Sequence, residues 1–258
     1  MVKKLLFVIA GLLSFTVNAQ TTNTNQYCYP MVSIAYSYGV ASNNTNNLST
    51  EHRNLLSTSV GNVMIGEFQL EIFPFRNWGF AASIGPVVGG DDDTMHPTSI
   101  GDFMLEQGYI FSDGYPISFM SDCTSFSIGA VFRKAYKRFT FRTSLSVGGL
   151  SYGSSSYSLL AKEDMSNDIR KLTLNMNASS IFSVNPRIGA SYILSKRFSL
   201  NAAVGLMCPL RKIYVDSDLT DAYTDIVIDH KSIGNRINPY FTAELGIAIN
   251  FGYNKYKK

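Results

Sequence analysis

The stretch "MVSIAYSYGV", residues 31–40, places a large apolar side chain at every second position. In a β-strand, alternate side chains point to opposite faces of the sheet. One face carries the large side chains Val32, Ile34, Tyr36, Tyr38 and Val40, and the other carries Ser33, Ala35, Ser37 and Gly39. A soluble sandwich would expose charged residues on its second face, whereas here that face is small and uncharged. The pattern therefore predicts a strand whose apolar face meets lipid.

The composition favours a membrane protein that crosses with strands. Of the 258 residues, 45% are hydrophobic and only 16% are charged, against about 25% charged residues in a typical soluble domain. Beyond the first twenty residues, no stretch approaches the ~18 consecutive apolar residues that a spanning helix needs. The composition is thus too apolar for an ordinary soluble domain and too polar for a helical membrane protein.

The first residues have the pattern of a secretory signal peptide. Lys3 and Lys4 precede an apolar run over residues 5–17, and "VNA" supplies a small-residue cleavage site. We expect cleavage after residue 19, which leaves one barrel domain over residues 20–258; a retained membrane anchor is the alternative. Losing two lysines lowers the formal net charge from +3 to +1. A nearly neutral chain gives no electrostatic reason to expect nucleic acid binding.

The alternation of the opening stretch recurs along the chain and predicts eight strands. The alternating runs lie at residues 31–40, 64–72, 80–89, 125–133, 139–147, 182–194, 198–211 and 241–253. A run of about ten residues, tilted by about 45°, spans the apolar band of an outer membrane. A sheet in hydrocarbon must close, since an open edge leaves backbone groups unpaired. We therefore predict an all-β fold, a closed antiparallel up-and-down transmembrane β-barrel. A ten-stranded barrel is the alternative, with residues 103–120 as an extra hairpin.

The connections between the runs alternate strictly between short and long. The short ones lie at residues 74–78, 134–138 and 195–197, and the long ones at 41–59, 90–122, 151–175 and 213–237. This inequality is typical of barrels with tight periplasmic turns and longer outer loops. Because variable side chains concentrate in such loops, their length favours a structural or surface-interaction role.

The final run resembles the C-terminal assembly signal of bacterial outer-membrane barrels. It reads Glu244-Leu-Gly246-Ile-Ala-Ile249-Asn-Phe251, with glycine, hydrophobic and aromatic residues in the spacing of that signal. The chain is similar to the eight-stranded outer-membrane β-barrel family, the OmpA/OmpX-type proteins. The resemblance implies a Gram-negative outer membrane, contact with its lipid and lipopolysaccharide, and recognition by the barrel assembly machinery through Gly246, Ile249 and Phe251.

Charged residues of both signs fall on the small-residue face, which faces the lumen if the other face meets lipid. They are Glu67, Glu71, Arg133, Arg142, Arg187, Arg211 and Glu244. A buried charge without a partner is very costly, so we expect a network of carboxylate and guanidinium pairs across the interior. Such a network would plug the lumen of a monomeric barrel. A small gated channel is the alternative.

The candidates for chemistry are sparse. His52, His96 and His230 all lie in predicted outer loops, and with the acidic residues 91–93 they could ligate a metal if the loops converged. Nothing in their spacing requires it, so we expect solvated loop residues and no cofactor. Cys28, Cys123 and Cys208 show no metal spacing, and an odd number cannot all pair within one chain.

One segment resembles an enzyme site. His230, Ser232 and Glu244 have an order and spacing similar to the residues of lipid A 3-O-deacylase, an outer-membrane esterase. The resemblance would imply a serine nucleophile activated by histidine. However, Ile233 stands where that family has asparagine, and the alternation turns Glu244 into the lumen. The sequence therefore favours a protein that is not an enzyme.

Overall fold

The computed structural model describes residues 29–56, 60–89, 109–111, 123–163 and 168–254. Within them, eight strands form a closed barrel in the order β1, β2, β3, β5, β6, β9, β10 and β13, and β13 pairs back onto β1. Every neighbouring pair is antiparallel. The barrel strands are β1 (Tyr29–Ser42), β2 (Asn62–Ile72), β3 (Trp78–Gly89), β5 (Cys123–Tyr136), β6 (Phe139–Tyr152), β9 (Ser179–Ile193), β10 (Phe198–Pro209) and β13 (Tyr240–Asn254). The predicted fold class is confirmed.

The barrel is turned inside out relative to a soluble protein. On β2, Phe68 is 58% exposed, whereas its neighbour Glu67 is only 2% exposed. On β6, Leu145 is 60% exposed and Ser146 is 6% exposed. The large apolar residues thus lie on the exterior, and the small and charged residues lie inside. Such an exterior is stable only against hydrocarbon.

The apolar exterior is tall enough to cross a membrane. On β3 it extends from Trp78 to Val88, both exposed, and ten residues tilted by about 45° rise roughly 25 Å. Aromatic pairs lie at the edge of this exterior next to the short turns. The ring centres of Trp78 and Phe132 are 5.0 Å apart, and those of Phe139 and Tyr192 are 4.9 Å apart. In the described part of the chain, no helix is long and apolar enough to cross a membrane.

The two ends of the barrel differ. At the short-turn end, residues 73–77, 137–138 and 194–197 connect consecutive strands. Lys137 adopts a left-handed backbone conformation, with φ of 54°, as tight hairpin turns require. The opposite end, where the long connections lie, is called the long-connection end.

The long connections fold into a second sheet. It has the order β12, β11, β8, β7, β4, and its strands are β4 (Tyr109–Phe111), β7 (Ser155–Glu163), β8 (Ile169–Met176), β11 (Lys212–Asp221) and β12 (Val227–Arg236). The loops expected at 151–175 and 213–237 are therefore hairpins. The ten-stranded alternative is wrong, because β4 pairs with β7 outside the barrel. The rest of 103–120 lies outside the described residues.

A short helix, α1 (Thr50–Leu55), lies between β1 and β2 and begins at the N-cap residue Ser49. Its apolar side packs into a buried cluster that joins the helix, the second sheet and the upper strands of the barrel. The cluster includes Leu55 and Leu56 at the end of the helix, Leu174 and Val215 from the second sheet, and Ile65, Leu150 and Ile181 from the barrel. The main hydrophobic core of this protein thus lies at the long-connection end.

Candidate functional site

Small residues on the interior face make room for long charged side chains. A Cβ atom added at Gly39 would lie 2.7 Å from Cγ of Glu244, and one at Gly205 would lie 2.6 Å from Cγ of Arg187. Real Cβ atoms do not approach other heavy atoms so closely. The glycines of the alternating pattern are therefore part of the site, since they let the charged side chains cross the lumen.

The centre of the interior holds a triad of charges from three strands. The Arg187 guanidinium on β9 donates two hydrogen bonds to the Glu67 carboxylate on β2, at 2.5 and 3.1 Å. Its Nη2 atom also lies 3.6 Å from Oε1 of Glu244 on β13. Ser37 on β1 donates to Oε2 of Glu244 at 3.1 Å. A bidentate contact of this kind fixes the relative orientation of the guanidinium and the carboxylate in addition to pairing their charges.

A second ion pair lies closer to the short-turn end. Nη1 of Arg142 is 2.8 Å from Oε1 of Glu71, and Gln69 donates to the same oxygen at 3.3 Å. Arg142 and Glu71 border two small cavities, of about 30 and 20 Å³. A cavity of this size holds about one or two water molecules.

The other two arginines of the predicted network lie elsewhere. Arg133 is buried at the short-turn end, where it donates to the backbone carbonyls of Arg76 and Pro30 and lies 3.7 Å from the ring centre of Phe73. Arg211 is exposed in a bend beyond β10, so its assignment to the lumen is wrong. The chain leaves the barrel after Pro209 to enter the second sheet, and the alternation of β10 no longer applies.

The residues of the terminal signal lie on β13. Ile249 and Phe251 are exposed on the apolar exterior, at 44% and 48%. Gly246 faces inward, and a Cβ atom there would lie 2.5 Å from the carbonyl oxygen of Tyr36 on β1. Close approach of β13 to β1 thus requires glycine. Recognition of these residues by the assembly machinery stays a prediction.

His52 is buried, which corrects its assignment as a solvated loop residue. Its Nε2 atom lies 3.0 Å from the carbonyl oxygen of Ile213 on β11, so Nε2 carries the proton and donates. Ser49 Oγ lies 2.9 Å from Nδ1. Burial lowers the pKa of His52 below its usual value. The neutral histidine therefore joins α1 to the second sheet.

His230 is exposed on β12, and its Nδ1 atom lies 2.5 Å from Oδ1 of Asp218 on β11. The hydrogen bond to Asp218 raises the pKa of His230. Ser232 lies opposite Asp216, on β12 of the second sheet, whereas Glu244 is in the barrel interior with Arg187. The serine, histidine and glutamate of the esterase hypothesis are therefore not brought together.

No metal centre is formed by the described residues, since no group of three histidine, cysteine or acidic side chains converges there. His96 and residues 91–93 lie outside the described residues. Cys123 and Cys208 are free thiols, and Cys28 lies outside the described part.

The strands of the second sheet were not predicted, although two of them show a short alternation of apolar and polar residues. Leu172, Leu174 and Met176 alternate with polar residues on β8, and Ile213 and Val215 do so on β11. These runs are shorter than the membrane-spanning ones. They point their apolar sides into the cluster at the long-connection end.

Closed antiparallel pairing, an apolar exterior and a charged interior define the class of this protein. It is an eight-stranded transmembrane β-barrel of the type found in outer membranes.

No protein-family model matches the chain, and no curated protein matches it by sequence. Solved structures of similar shape include Neisserial surface protein A, at 9% identity and TM-score 0.40, covering 87% of this chain and 99% of that one. A major outer membrane protein from Thermus thermophilus has 11% identity and TM-score 0.40, covering 84% and 99% of the two chains. OprG from Pseudomonas aeruginosa has 8% identity and TM-score 0.38, covering 89% and 99%.

Proposed function

We propose that this chain is a monomeric, non-conducting outer-membrane barrel that presents a folded sheet to the cell exterior in a structural or surface-interaction role. The observation that carries the proposal is the filling of the interior. Arg187 and Arg142 are paired with carboxylates in the lumen, and an apolar cluster follows toward the long-connection end.

The apolar cluster argues against the alternative of a small gated channel. An ion that passed the paired arginines would next meet Leu150, Ile65 and Ile181, all at most 2% exposed. An ion cannot cross such a dry constriction unless it opens and wets. Opening would have to displace α1 and the second sheet, which pack on the same cluster.

The second sheet supports the interaction role. At the turn between β11 and β12, Tyr223 is 76% exposed, Ile226 65% and Val227 54%. Exposed apolar residues that lie together mark interaction surfaces more often than solitary ones do. In the proposed orientation, this turn points away from the membrane.

The proposed location follows from the barrel and from the terminal signal. The chain would be exported through the periplasm, recognised by the assembly machinery through Gly246, Ile249 and Phe251, and surrounded by outer-membrane lipid and lipopolysaccharide.

Conductance in planar bilayers separates the scaffold from the channel. We expect purified protein to give no reproducible openings. Steady openings that disappear on changing Arg142 or Glu67 would establish the channel instead. Release of 3-hydroxy fatty acid from lipopolysaccharide, lost in Ser232→Ala, would establish an esterase.

Cysteine labelling on intact cells tests the orientation. In a background with serine in place of the native cysteines, Thr224→Cys lies at the turn of the second sheet and Lys196→Cys lies at the short-turn end. A membrane-impermeant maleimide should label the first and not the second. The reverse pattern would contradict display at the cell exterior.

A further inference from the structure

The short-turn end carries cations without acidic residues. The six cations are Arg76, Lys134, Lys137, Arg138, Lys196 and Arg197. Residues 73–77, 134–138 and 194–197, which contain them, include no aspartate or glutamate. We call this set the basic collar. All of its members are exposed or half-buried. Lys134 lies near the end of β5, and the other five lie in the three short turns of the barrel.

Exposed aromatic residues lie between the cations of the basic collar. Phe75 is 65% exposed beside Arg76, and Tyr136 is 63% exposed. Nζ of Lys137 lies 5.5 Å from the ring centre of Tyr136. Trp78, which is 56% exposed, is the first residue of β3 and lies where the apolar exterior begins. Aromatic rings of this kind sit at the level of lipid headgroups.

The long-connection end has a different charge pattern. There, cations and acids are mixed and paired, as Arg170 is with Asp168 and Asp221. Lys231 likewise lies 2.8 Å from Asp229. Residues 216–229 at this end carry five aspartates and no lysine or arginine. Among the described residues, a concentration of cations without acidic residues is therefore a property of the short-turn end.

We propose that the basic collar binds the phosphate groups of anionic phospholipids in the leaflet that surrounds the short-turn end. Lysine and arginine side chains at this level can lay their stems along the aromatic rings and direct their charged ends to phosphate. The inference depends on the apolar exterior of the barrel and not on the role of the second sheet.

The aromatic residues favour a lipid over an anionic cell-wall polymer or an acidic protein. A soluble partner would contact the cations from the aqueous side of the short-turn end. It would leave the exposed rings of Phe75, Tyr136 and Trp78 without a contact. A phospholipid satisfies both, because its phosphate meets the cations and its acyl chains meet the apolar exterior. The spread of the cations over three turns around the rim also fits many small ligands better than one large one.

Spin-labelled lipids measure this preference directly. Full-length protein is reconstituted in phosphatidylcholine bilayers, and the association of labelled phosphatidylglycerol is compared with that of labelled phosphatidylcholine by electron paramagnetic resonance. The collar variant replaces Lys134, Arg138, Lys196 and Arg197 by glutamine and Lys137 by asparagine, which tolerates a positive φ. Heat-modifiable gel migration shows whether each variant is folded.

A matched control removes the same number of cations from the other end. It carries glutamine at Arg53, Lys162, Arg211, Lys212 and Arg236, all at the long-connection end. Both variants have the same net charge, so any difference between them reports position. Lower overall charge alone would affect both equally.

We expect the natural protein and the control to bind phosphatidylglycerol roughly three- to fivefold more strongly than phosphatidylcholine. In the collar variant the ratio should fall to about one, and salt at about 0.5 M should reduce it in the natural protein. An equal ratio in all three proteins, or a loss in the control alone, would overturn the proposal. Binding of purified cell-wall sacculi through the collar without any lipid preference would overturn it too.

Discussion

At the residue scale, Arg187 is the shared cation of two buried carboxylates. It is the cation that contacts both Glu67 and Glu244, and all three side chains are almost inaccessible to solvent. Removing one partner from such a group leaves a buried charge without compensation, whereas replacing the whole group by apolar residues is often neutral.

The first prediction tests the role of this shared cation. Arg187→Met should destabilise the barrel by about 3–5 kcal/mol, because Glu67 and Glu244 are left without their cation. Urea unfolding in lipid vesicles can be followed by the fluorescence of Trp78, the single tryptophan. The triple variant with Glu67→Gln and Glu244→Gln should recover most of the loss. Equal instability of the triple variant would contradict the electrostatic cause.

A second residue-scale prediction concerns the space that glycine leaves. Gly39→Ala places a Cβ atom 2.3 Å from the backbone carbonyl oxygen of Ala243, so β1 and β13 must move apart. We expect a loss of about 1–3 kcal/mol in the same urea experiment. Ala203→Ser on the inward face of β10, beside the small polar cavity, serves as the control and should change stability less. A Gly39→Ala variant as stable as the natural protein would contradict the packing.

The alternation in the sequence predicts which face a residue occupies but not which residue it meets. Glu67 and Arg187 are 120 positions apart in sequence, and their contact depends on how far the strands are staggered around the barrel. The same rule placed Arg211 inside, because alternation gives no sign of the point where a strand leaves the membrane.

At the element scale, the long connections were predicted to be loops, but they form α1 and the second sheet. Residues 153–158 form a polar, low-complexity stretch, yet residues 155–158 belong to β7. Strand pairing at the barrel mouth satisfies its backbone, while Leu159 and Ala161 supply the buried side chains. Such tertiary support for a weakly patterned strand cannot be read from local sequence.

The third prediction follows from the buried His52. Its pKa is lowered by burial, so below a pH of about 6.5 the unfolded state takes up a proton before the folded state does. The packing of α1 on β11 should therefore weaken as the pH falls below this value. Hydrogen exchange at β11, corrected for intrinsic rates, measures the effect. His52→Gln should remove the weakening at low pH and leave only the opposite effect of His230, whereas Arg53→Gln on the same helix should keep the weakening.

The fourth prediction has the opposite sign. The hydrogen bond to Asp218 raises the pKa of His230, so its contribution to the pairing of β11 and β12 is present below about pH 6.5. It is lost as the pH rises through the folded pKa. Nuclear magnetic resonance titration of His230 should show a fall of its pKa in Asp218→Asn and little change in Asp225→Asn. An unchanged pKa in Asp218→Asn would show that the contact does not persist in solution.

At the scale of the whole molecule, the barrel interior has two parts. The ion pairs fill the part toward the short turns, and the apolar cluster fills the part toward the long connections. The eight strands were predictable because a continuous membrane forces the same alternation on every one of them. The division of the interior was not, since it depends on residues that are distant in sequence.

The most direct test of this arrangement compares two adjacent residues on β6 in a bilayer. Leu145 is 60% exposed on the exterior, and Ser144 faces the interior. A nitroxide at Leu145 should be reached readily by oxygen from the hydrocarbon and poorly by an aqueous nickel chelate, whereas one at Ser144 should be shielded from oxygen. Strong access of the chelate to Leu145, or greater oxygen access at Ser144, would contradict an exterior that meets lipid.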